Sequence, residues 1–397
     1  MKYFFILGNH QVLSLAEIKA VFPKASLSFV DEVCFLETSE TPGASSSFNE
    51  KALIKNLGGT IKIGRVLSQI KNMEEGRKLA LKELLLVPKE GKFNFGISVY
   101  GSAKVKALAL GLELKKDLKA HYKSLRLVTS RDKALSSVVV EQNKLVSSGK
   151  EIVFFGFKDK LFLGITEAVQ PFKELSFRDY GRPARDDLSG MLPPKLAQIM
   201  INLSQAKKNE TILDPFCGSG TILTEAMLMG YKKIIGSDIS AKAIKDSREN
   251  IEWIAEKFNL DTEVSLSEAD VKQLSKKFKP NSISSIITET YLGPQRGKVD
   301  IFKTSQELTS LYNKALKEIK EILSPGGSVV MVLPVFLQNG QKRILPITIP
   351  MGLKIKESDI RDYRDHKDYR EGITPRGSFI YGRSGQKIWR EIIILKK

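Results

Sequence analysis

From Thr211 to the end of the chain, strand-like segments alternate strictly with helix-like segments. Short apolar runs predict strands at 211–215, 233–238, 263–267, 282–289, 327–334 and 388–395. Between them, helical patterns predict helices at 221–229, 241–257 and 305–323. Such alternation is typical of a parallel, doubly wound α/β sheet. Because ligands bind these sheets at the carboxyl ends of the strands, we look for functional residues there.

The N-terminal part has a different pattern, which predicts an α+β fold. A strand at 3–8 is followed by the capping box Ser14 to Glu17, which predicts a helix over Leu15–Val21. Further on, helices are predicted at 72–86, 103–123 and 133–147, and strands at 93–100, 125–129, 151–157 and 160–166. Residues 170–190 carry proline and glycine at turn spacing, which predicts a linker before the α/β part.

Charge is distributed unevenly along the 397 residues. The chain holds 63 basic and 45 acidic residues, a net charge of +18. Residues 51–150 carry 21 basic and 8 acidic residues, a net of +13, whereas residues 201–300 carry 14 of each. A basic segment beside a neutral one indicates that one part binds a polyanion; a solvated helix face explains its densest stretch equally well. The candidates for binding the polyanion in that stretch are Lys104, Lys106, Lys115, Lys116, Lys119, Lys123 and Arg126.

Composition excludes several other classes of protein. Two cysteines, Cys34 and Cys217, are too few for a disulfide framework or a cysteine-rich zinc module. Three scattered histidines argue against a histidine metal site, so no metal is expected. The longest apolar run, at 328–337, is short of the ~18 residues of a membrane span. We therefore expect a cytoplasmic protein without a membrane partner.

A glycine-rich loop follows the first strand of the α/β part. It reads Asp214-Pro-Phe-Cys-Gly-Ser-Gly-Thr221 and leads directly into a helix, whose first N–H groups are free to bind a ligand. Asp238 ends the second strand, 18 residues beyond Gly220, close to the ~20 at which an acidic residue binds a ribose diol. Asp270 follows the third strand, where it can meet an adenine amino group.

The acid before the glycine loop decides which nucleotide is expected. Leu223 stands where a dinucleotide site needs a third glycine, and a P-loop lysine is missing, so neither a nicotinamide dehydrogenase nor a P-loop protein is favoured. Asp214 would repel a pyrophosphate but suits a ligand with an ammonium group, such as S-adenosylmethionine (SAM). The expected SAM-binding residues are Asp214, Phe216, Gly218, Gly220, Thr221, Asp238, Ile239 and Asp270.

The fourth strand ends in Thr288-Glu289-Thr290-Tyr291, at the edge that faces the methyl donor. A carboxylate here can accept a hydrogen bond from an exocyclic amine, and an aromatic ring can stack on a base. Glu289 and Tyr291 suit these roles. An exposed strand-end charge and a core aromatic residue are the alternative interpretation.

These motifs resemble the THUMP-domain class I SAM-dependent tRNA (guanine-N2) methyltransferases. The resemblance rests on the loop 214–221, on the segments 190–197 and 381–391, and on N-terminal segments at 1–21, 58–63, 96–101 and 161–166. It implies a ferredoxin-like unit at 1–55, a THUMP RNA-binding domain at 56–169, the linker at 170–190 and a Rossmann-like methyltransferase domain at 191–397. It also implies methylation of N2 of a guanine in tRNA, often at position ten, by a monomer or with a small activator protein.

The chain departs from this family at one motif. The family has Asp/Asn-Pro-Pro-Tyr/Phe, and without gaps its acid corresponds to Thr288, so Thr288 joins Glu289 and Tyr291 as a candidate catalytic residue. Either Glu289 has taken the role of the acid, or the target differs, or activity is lost. The alternatives are therefore a methyltransferase acting on rRNA or DNA, and a non-catalytic RNA-binding protein that keeps a SAM pocket.

Overall fold

A computed structural model describes residues 2–37, 49–88, 91–185, 191–294, 300–338, 341–356, 371–383 and 385–397. The chain divides into two compact units. The first comprises Met1–Gln11, Phe22–Asn56 and Thr60–Phe172, and the second comprises Val12–Val21, Leu57–Gly59 and Lys173–Lys397. Within the described residues, no helix combines the length and the apolar composition that crossing a membrane requires.

The first unit is built on one mixed sheet. Its strands are β1 (Lys2–Leu7), β2 (Ser26–Val30), β3 (Val33–Glu37), β4 (Thr60–Ile70), β5 (Lys92–Gly101), β6 (Ser124–Val128), β7 (Lys150–Phe157) and β8 (Lys160–Val169). They lie in the order β2-β3-β1-β4-β8-β7-β5-β6. Among the strands of the described residues, β5 pairs in parallel with β6 and with β7, and the other pairs are antiparallel. The expected division at residue 55 therefore lies within one continuous sheet, and the THUMP assignment stays a prediction.

The helices of this half of the chain are α1 (Gln11–Val21), α2 (Glu50–Lys55), α3 (Met73–Leu85), α4 (Ala107–Leu118) and α5 (Ser137–Gln142). Capping side chains start three of them, α2, α3 and α5. Asn72 accepts a hydrogen bond from the Glu75 N–H at the start of α3, and Ser136 caps α5 in the same way. The helices at 103–123 and 133–147 are thus shorter than expected.

β4 is a strand that the sequence pattern does not predict. It contains Gly64, where a side chain would collide with the ring of Phe4, because a Cβ atom there would lie 2.1 Å from that ring. The backbone of β4 therefore packs directly against an aromatic ring. Gly64 has no side chain, so it interrupts the alternation of apolar and polar residues by which a strand is recognised in a sequence.

A buried ion pair joins four strands of the first unit. Lys62 Nζ lies 2.6 Å from Glu151 Oε1, and the two side chains are 1% and 0% exposed. Lys62 also donates to the carbonyl oxygen of Leu135, and Thr166 and Ser98 donate hydroxyl hydrogens to Glu151. Each charge is therefore hydrogen-bonded as well as paired, which compensates the cost of burying it.

The second unit is an α/β sandwich. Its elements are α6 (Phe172–Tyr180), α7 (Pro194–Ser204), β9 (Thr211–Asp214), α8 (Thr221–Leu228), β10 (Lys233–Asp238), α9 (Ala241–Phe258), β11 (Val264–Glu268), a 3₁₀ helix (Val271–Lys276), β12 (Ile283–Glu289), α10 (Ile301–Ile322), β13 (Leu323–Gln338), β14 (Gln341–Ile344), β15 (Lys354–Ile355), β16 (Phe379–Tyr381) and β17 (Ile388–Lys396). The sheet order is β11-β10-β9-β12-β13-β17-β15, with β14 beside β13 and β16 beside β17.

The last long strand departs from the expected parallel arrangement. β9 to β13 pair in parallel, but β17 is antiparallel to β13, with Ile388 opposite Phe336. The chain enters β17 at the carboxyl end of β13 and runs back along that strand. As a result, the beginning of β17 lies at the same edge of the sheet as the carboxyl ends of the parallel strands.

The core of this unit lies between the sheet and α10. Buried side chains recur at helical spacing along α10, at Leu308, Tyr312, Leu316 and Ile319, which face the sheet. Asp300 caps the helix by accepting a hydrogen bond from the Lys303 N–H. This packing fixes β12, whose end carries the acceptor motif, and its neighbour β13.

A helix occupies part of the expected linker. In α6, Arg178 forms a two-pronged contact with the buried carboxylate of Glu225, at 2.6 and 3.1 Å. Gln198 donates to the same carboxylate, so α6, α7 and α8 are held together. This tertiary contact orders a segment whose prolines and glycines predict turns; its last residues, 186–190, lie outside the described part of the chain.

Candidate active site

A cavity of about 480 Å³ opens at the carboxyl ends of β9, β10, β11 and β12. Each of these strand ends contributes an acidic side chain to its lining: Asp214, Asp238, Asp270 and Glu289. The structure therefore brings together the acids that the sequence places at four successive strand ends. Because α/β proteins bind ligands at this edge, the cavity is the candidate site.

The glycine loop adopts the tight turn that its sequence predicts. Gly218 and Gly220 have φ angles of +52° and +84°, a region that other residues rarely occupy. Gly220 also lies against Ser247, whose Oγ would be 3.0 Å from an added Cβ. The backbone of Gly218, together with Phe216 and Thr221, lines the cavity, whereas Gly220 itself begins α8 behind it.

Asp214 is buried, and its two carboxyl oxygens have different surroundings. Oδ1 accepts hydrogen bonds from Thr288 Oγ1 at 2.6 Å and from the Phe216 N–H at 3.1 Å. No partner for Oδ2 is found within the described residues. Burial raises the pKa of Asp214 to about 8, against the weaker lowering effect of the hydrogen bonds from Thr288 and Phe216. A cationic group in the cavity would therefore meet an acid that lacks a counter-charge.

Asp238 lies at the end of β10 and supports the glycine loop. Its Oδ2 accepts from the Gly218 N–H and its Oδ1 from the Ser240 N–H, both at 3.0 Å. Next to it, Ile239 lines the cavity with 65% of its side chain exposed. The exposed side chain of Ile239 suits the flat face of a base, and the carboxylate of Asp238 suits a sugar hydroxyl.

Asp270 lies beyond β11, at the start of the 3₁₀ helix. Its side chain accepts a hydrogen bond from the Lys272 N–H at 2.9 Å and lies 3.2 Å from Lys272 Nζ. Both residues line the cavity. The sequence predicts Asp270 but not Lys272, nor the ion pair of Lys242 and Asp246 in the same lining.

Thr288 and Glu289, at the end of β12, have different surroundings. Thr288 is fully buried, donates to Asp214 and does not line the cavity. Glu289 points to the other face of the strand, lines the cavity and pairs with Arg390 Nε at 2.6 Å. Tyr291 is 51% exposed, so its ring is free of the core. Of the acceptor motif, Glu289, Thr290 and Tyr291 line the cavity, whereas Thr288 does not.

Hydrogen bonds hold the backbone where the family motif has its two prolines. The N–H and the hydroxyl of Thr290 both donate to the carbonyl oxygen of Val332, at 3.3 and 2.8 Å. The Tyr312 hydroxyl donates to the carbonyl oxygen of Tyr291. The turn after β12 is thus fixed by polar contacts in place of ring constraints. Sequence reasoning misses Tyr312 and Arg390, because no local pattern links them to this turn.

Cys217 is part of the loop but lacks the properties of a nucleophile. Its side chain is buried, and burial raises the pKa of the thiol. The thiolate is the reactive form of cysteine, so this residue is inert at neutral pH.

The basic residues predicted to bind RNA lie in the first unit. They occupy α4, its flanks and β6: Lys104, Lys106, Lys115, Lys116, Lys119, Lys123 and Arg126. All are exposed except Lys115, which is half-buried. In the described chain none of them forms an ion pair, so their positive charges are available to a polyanion.

Comparison with known proteins supports a methyltransferase domain. Residues 182–336 match the model of the RMKL-like methyltransferase domain family. The tRNA (guanine(10)-N2)-dimethyltransferase of Methanothermobacter thermautotrophicus is 34% identical over 148 residues, which are 37% of this chain and 40% of that protein. The enzyme of the same name from Pyrococcus abyssi is 26% identical over 72% of this chain and 83% of its own length. The match to the first relative thus spans less than half of its length.

The same fold occurs in a solved structure. TrmN from Thermus thermophilus superposes with a TM-score of 0.55 at 17% identity, and the alignment covers 100% of both chains. The expected α/β fold is therefore confirmed. Residues 182–336 are thus similar to the RMKL-like methyltransferase domain, and the resemblance of the chain to the tRNA guanine-N2 methyltransferases is confirmed.

Proposed function

We propose that this protein transfers a methyl group from SAM to the exocyclic N2 of a guanine in tRNA. The observation that carries the proposal is the cavity, in which donor-type and acceptor-type residues meet at one sheet edge. Similarity to two enzymes named for N2 of guanine 10 supports this class of target. When bound, SAM supplies its sulfonium methyl group, which passes to N2 with release of S-adenosylhomocysteine and one proton.

Three features of the cavity fit the donor. Oδ2 of Asp214, which has no hydrogen-bond partner among the described residues, suits the ammonium group; the exposed side chain of Ile239 suits the adenine face, and Asp238 suits the ribose hydroxyls. Asp270 is placed for the adenine amino group, and Gly218 lets the backbone approach closely. These residues bind and orient the donor, and such positioning supplies much of the rate in transfer reactions.

On the acceptor side, Glu289 binds the amine and Tyr291 stacks on the base. The carboxylate of Glu289 accepts an N–H from N2 and so directs the nitrogen lone pair toward the methyl group. The exposed ring of Tyr291 offers an apolar surface to the guanine. Thr288 influences the site only through Asp214, because its hydroxyl donates a hydrogen bond to that carboxylate.

The reaction can be tested directly with the full chain. Incubation with radiolabelled SAM and fractionated tRNA, rRNA and DNA, followed by mass spectrometry of nucleosides, is expected to give N2-methylguanosine from tRNA alone. Label in rRNA or DNA but not in tRNA would contradict the substrate. SAM binding without transfer to any nucleic acid would instead support the non-catalytic alternative, which the replacement of the family acid by Thr288 motivates.

We also propose that the basic residues of the first unit hold the RNA through its phosphates. Replacing both Lys116 and Lys119 with alanine is expected to weaken tRNA binding about tenfold, whatever the tRNA sequence. It should also reduce the slope of log Kd against log salt by about 1.5, because counterions are no longer released from the phosphates that the two lysines contact. Filter binding or fluorescence anisotropy between 50 and 300 mM salt measures both quantities.

A matched control removes two lysines whose charges are already paired. Lys2 lies 2.7 Å from Glu37, and Lys78 lies 2.7 Å from Glu74, all in the first unit. The double replacement Lys2→Ala and Lys78→Ala changes the net charge equally. If it weakens tRNA binding as much as the Lys116 and Lys119 pair, binding depends on overall charge and the assigned surface is wrong.

A further inference from the structure

An ion pair crosses the sheet next to the acceptor corner of the cavity. Glu289 on β12 and Arg390 on β17 lie on either side of β13, where their partners in register are Val332 and Pro334. Arg390 Nε lies 2.6 Å from Glu289 Oε1, and the side chains are 10% and 14% exposed. Such a pair is only weakly screened by water.

Arg390 reaches this position because of the direction of β17. Its antiparallel course brings the start of the strand to the edge that holds the cavity, and Arg390 also lies opposite Tyr381 of β16. The residue itself is not part of the cavity lining. It can therefore act on a bound molecule only through Glu289.

The pair leaves the two oxygens of Glu289 unequal. Oε1 receives the Arg390 Nε–H, whereas Oε2 has no hydrogen-bond partner within the described chain. A guanidinium donor that is fixed by two strands sets the plane of the carboxylate, so the direction of Oε2 is set as well.

The altered acceptor motif explains why Glu289 needs a partner that orients its carboxylate. Thr288 is turned toward Asp214, and the family prolines are missing from the turn after β12. Glu289 is one residue further along the strand and on its opposite face, so another element has to orient its carboxylate. Of the described residues, Arg390 is the one that pairs with it.

We propose that Arg390 is a positioning residue for the acceptor site, which fixes the carboxylate of Glu289 so that Oε2 is directed at the substrate amine as a hydrogen-bond acceptor. Glu289 then orients the amine, and the proton released after methyl transfer leaves to water. The inference rests on the proposed function, since it assigns an amine to the corner of the cavity that Glu289 lines.

A double-mutant cycle in single-turnover methyl transfer to tRNA tests this inference. Arg390→Met is expected to slow transfer about 30-fold, with the Kd for SAM within about threefold of wild type. If Arg390 acts through Glu289, adding Arg390→Met to Glu289→Gln costs less than a further threefold, because the two changes remove one interaction. Arg390→Lys keeps the positive charge but not the planar guanidinium donors, so its transfer rate should lie between those of Arg390→Met and wild type.

Arg376→Met is the matched control. Arg376 Nε pairs with the buried Glu391 at 2.9 Å in the same unit, and neither residue lines the cavity. This variant should lose thermal stability but keep the transfer rate. Addition of millimolar guanidinium ion should raise the rate of Arg390→Ala and leave Arg376→Met unchanged.

Two outcomes would overturn the inference alone while wild-type protein methylates tRNA. One is a loss in the double variant that equals the product of the single losses, and the other is an equal loss of rate in Arg390→Met and Arg376→Met. A wild-type protein that binds SAM but methylates no tRNA overturns the proposed function, and this inference with it.

Discussion

Glu289→Gln is expected to slow single-turnover methyl transfer to tRNA by about 100-fold to 1,000-fold, within the range found for lost acid–base groups. The amide keeps the size of the side chain but removes its charge. It can present an N–H toward the substrate amine, where the carboxylate presents only acceptors, and it leaves Arg390 without its counter-charge. The Kd for SAM, measured by calorimetry, should stay within about threefold, since Glu289 lies at the acceptor corner.

Glu268→Gln provides the control for this substitution. Glu268 ends β11, the first strand in the order of the same sheet, is exposed and does not line the cavity. Its replacement changes the net charge equally and should leave both the transfer rate and SAM binding unchanged. An unaltered rate in Glu289→Gln would show that the acid of this motif has no part in the reaction.

The donor half of the site could be predicted from the sequence because its residues depend on local geometry. Asp214, Asp238 and Asp270 each follow a recognisable strand, and parallel strands carry such residues to one edge of the sheet. Gly218 and Gly220 mark a turn that needs positive φ angles. A pattern of a few residues therefore determines both the conformation and the position of this half.

The acceptor half could be predicted only in part, because its contacts depend on tertiary pairing. Counting along the motif assigns the family acid to Thr288, but the alternation of side chains along β12 turns that residue toward Asp214 and Glu289 toward the cavity. Arg390 is 101 residues from Glu289 in the sequence. Its approach follows from the antiparallel direction of β17, which the alternation of elements does not predict.

The same limit applies to the fold of the first unit. Strands that consist of short apolar runs are found where the pattern predicts them, as in β7 and β8. β4 is missed because Gly64 packs by its backbone, and the Lys62–Glu151 pair is missed because charged residues ordinarily predict an exposed position. In both cases the partner that makes the residue suitable is distant in sequence.

The affinity for SAM is expected to rise with pH up to about pH 8 and to fall above it. The pKa of Asp214 is raised to about 8 by burial, so the acid is protonated at lower pH in the free protein. Binding an ammonium group requires the carboxylate, which costs up to tenfold in affinity per pH unit below 8. Above pH 8 the α-amino group of the ligand, with a pKa of about 8, loses its own charge.

Two substitutions test whether Asp214 causes this pH dependence of the affinity for SAM. Asp214→Asn should remove the acidic limb and weaken SAM binding about 30-fold to 100-fold at pH 8, in line with the loss of one partner of a buried charge pair. Thr288→Val should move the limb to higher pH, because the hydrogen bond from Thr288 lowers the pKa of Asp214. Asp261→Asn, an exposed change of equal charge, should alter neither quantity.

The free protein should show the opposite effect in its stability. Because the pKa of Asp214 is raised on folding, the neutral acid is favoured in the folded state, and its contribution to stability is lost as pH rises from about 4 to about 8. Asp214→Asn keeps an acceptor oxygen for Thr288 and Phe216 but never ionises. Its Tm should therefore exceed that of wild type by a margin that grows between pH 5 and 8 and then levels off. A constant difference in Tm across this range, together with SAM binding independent of pH, would show that the carboxyl of Asp214 does not meet the charge of the ligand.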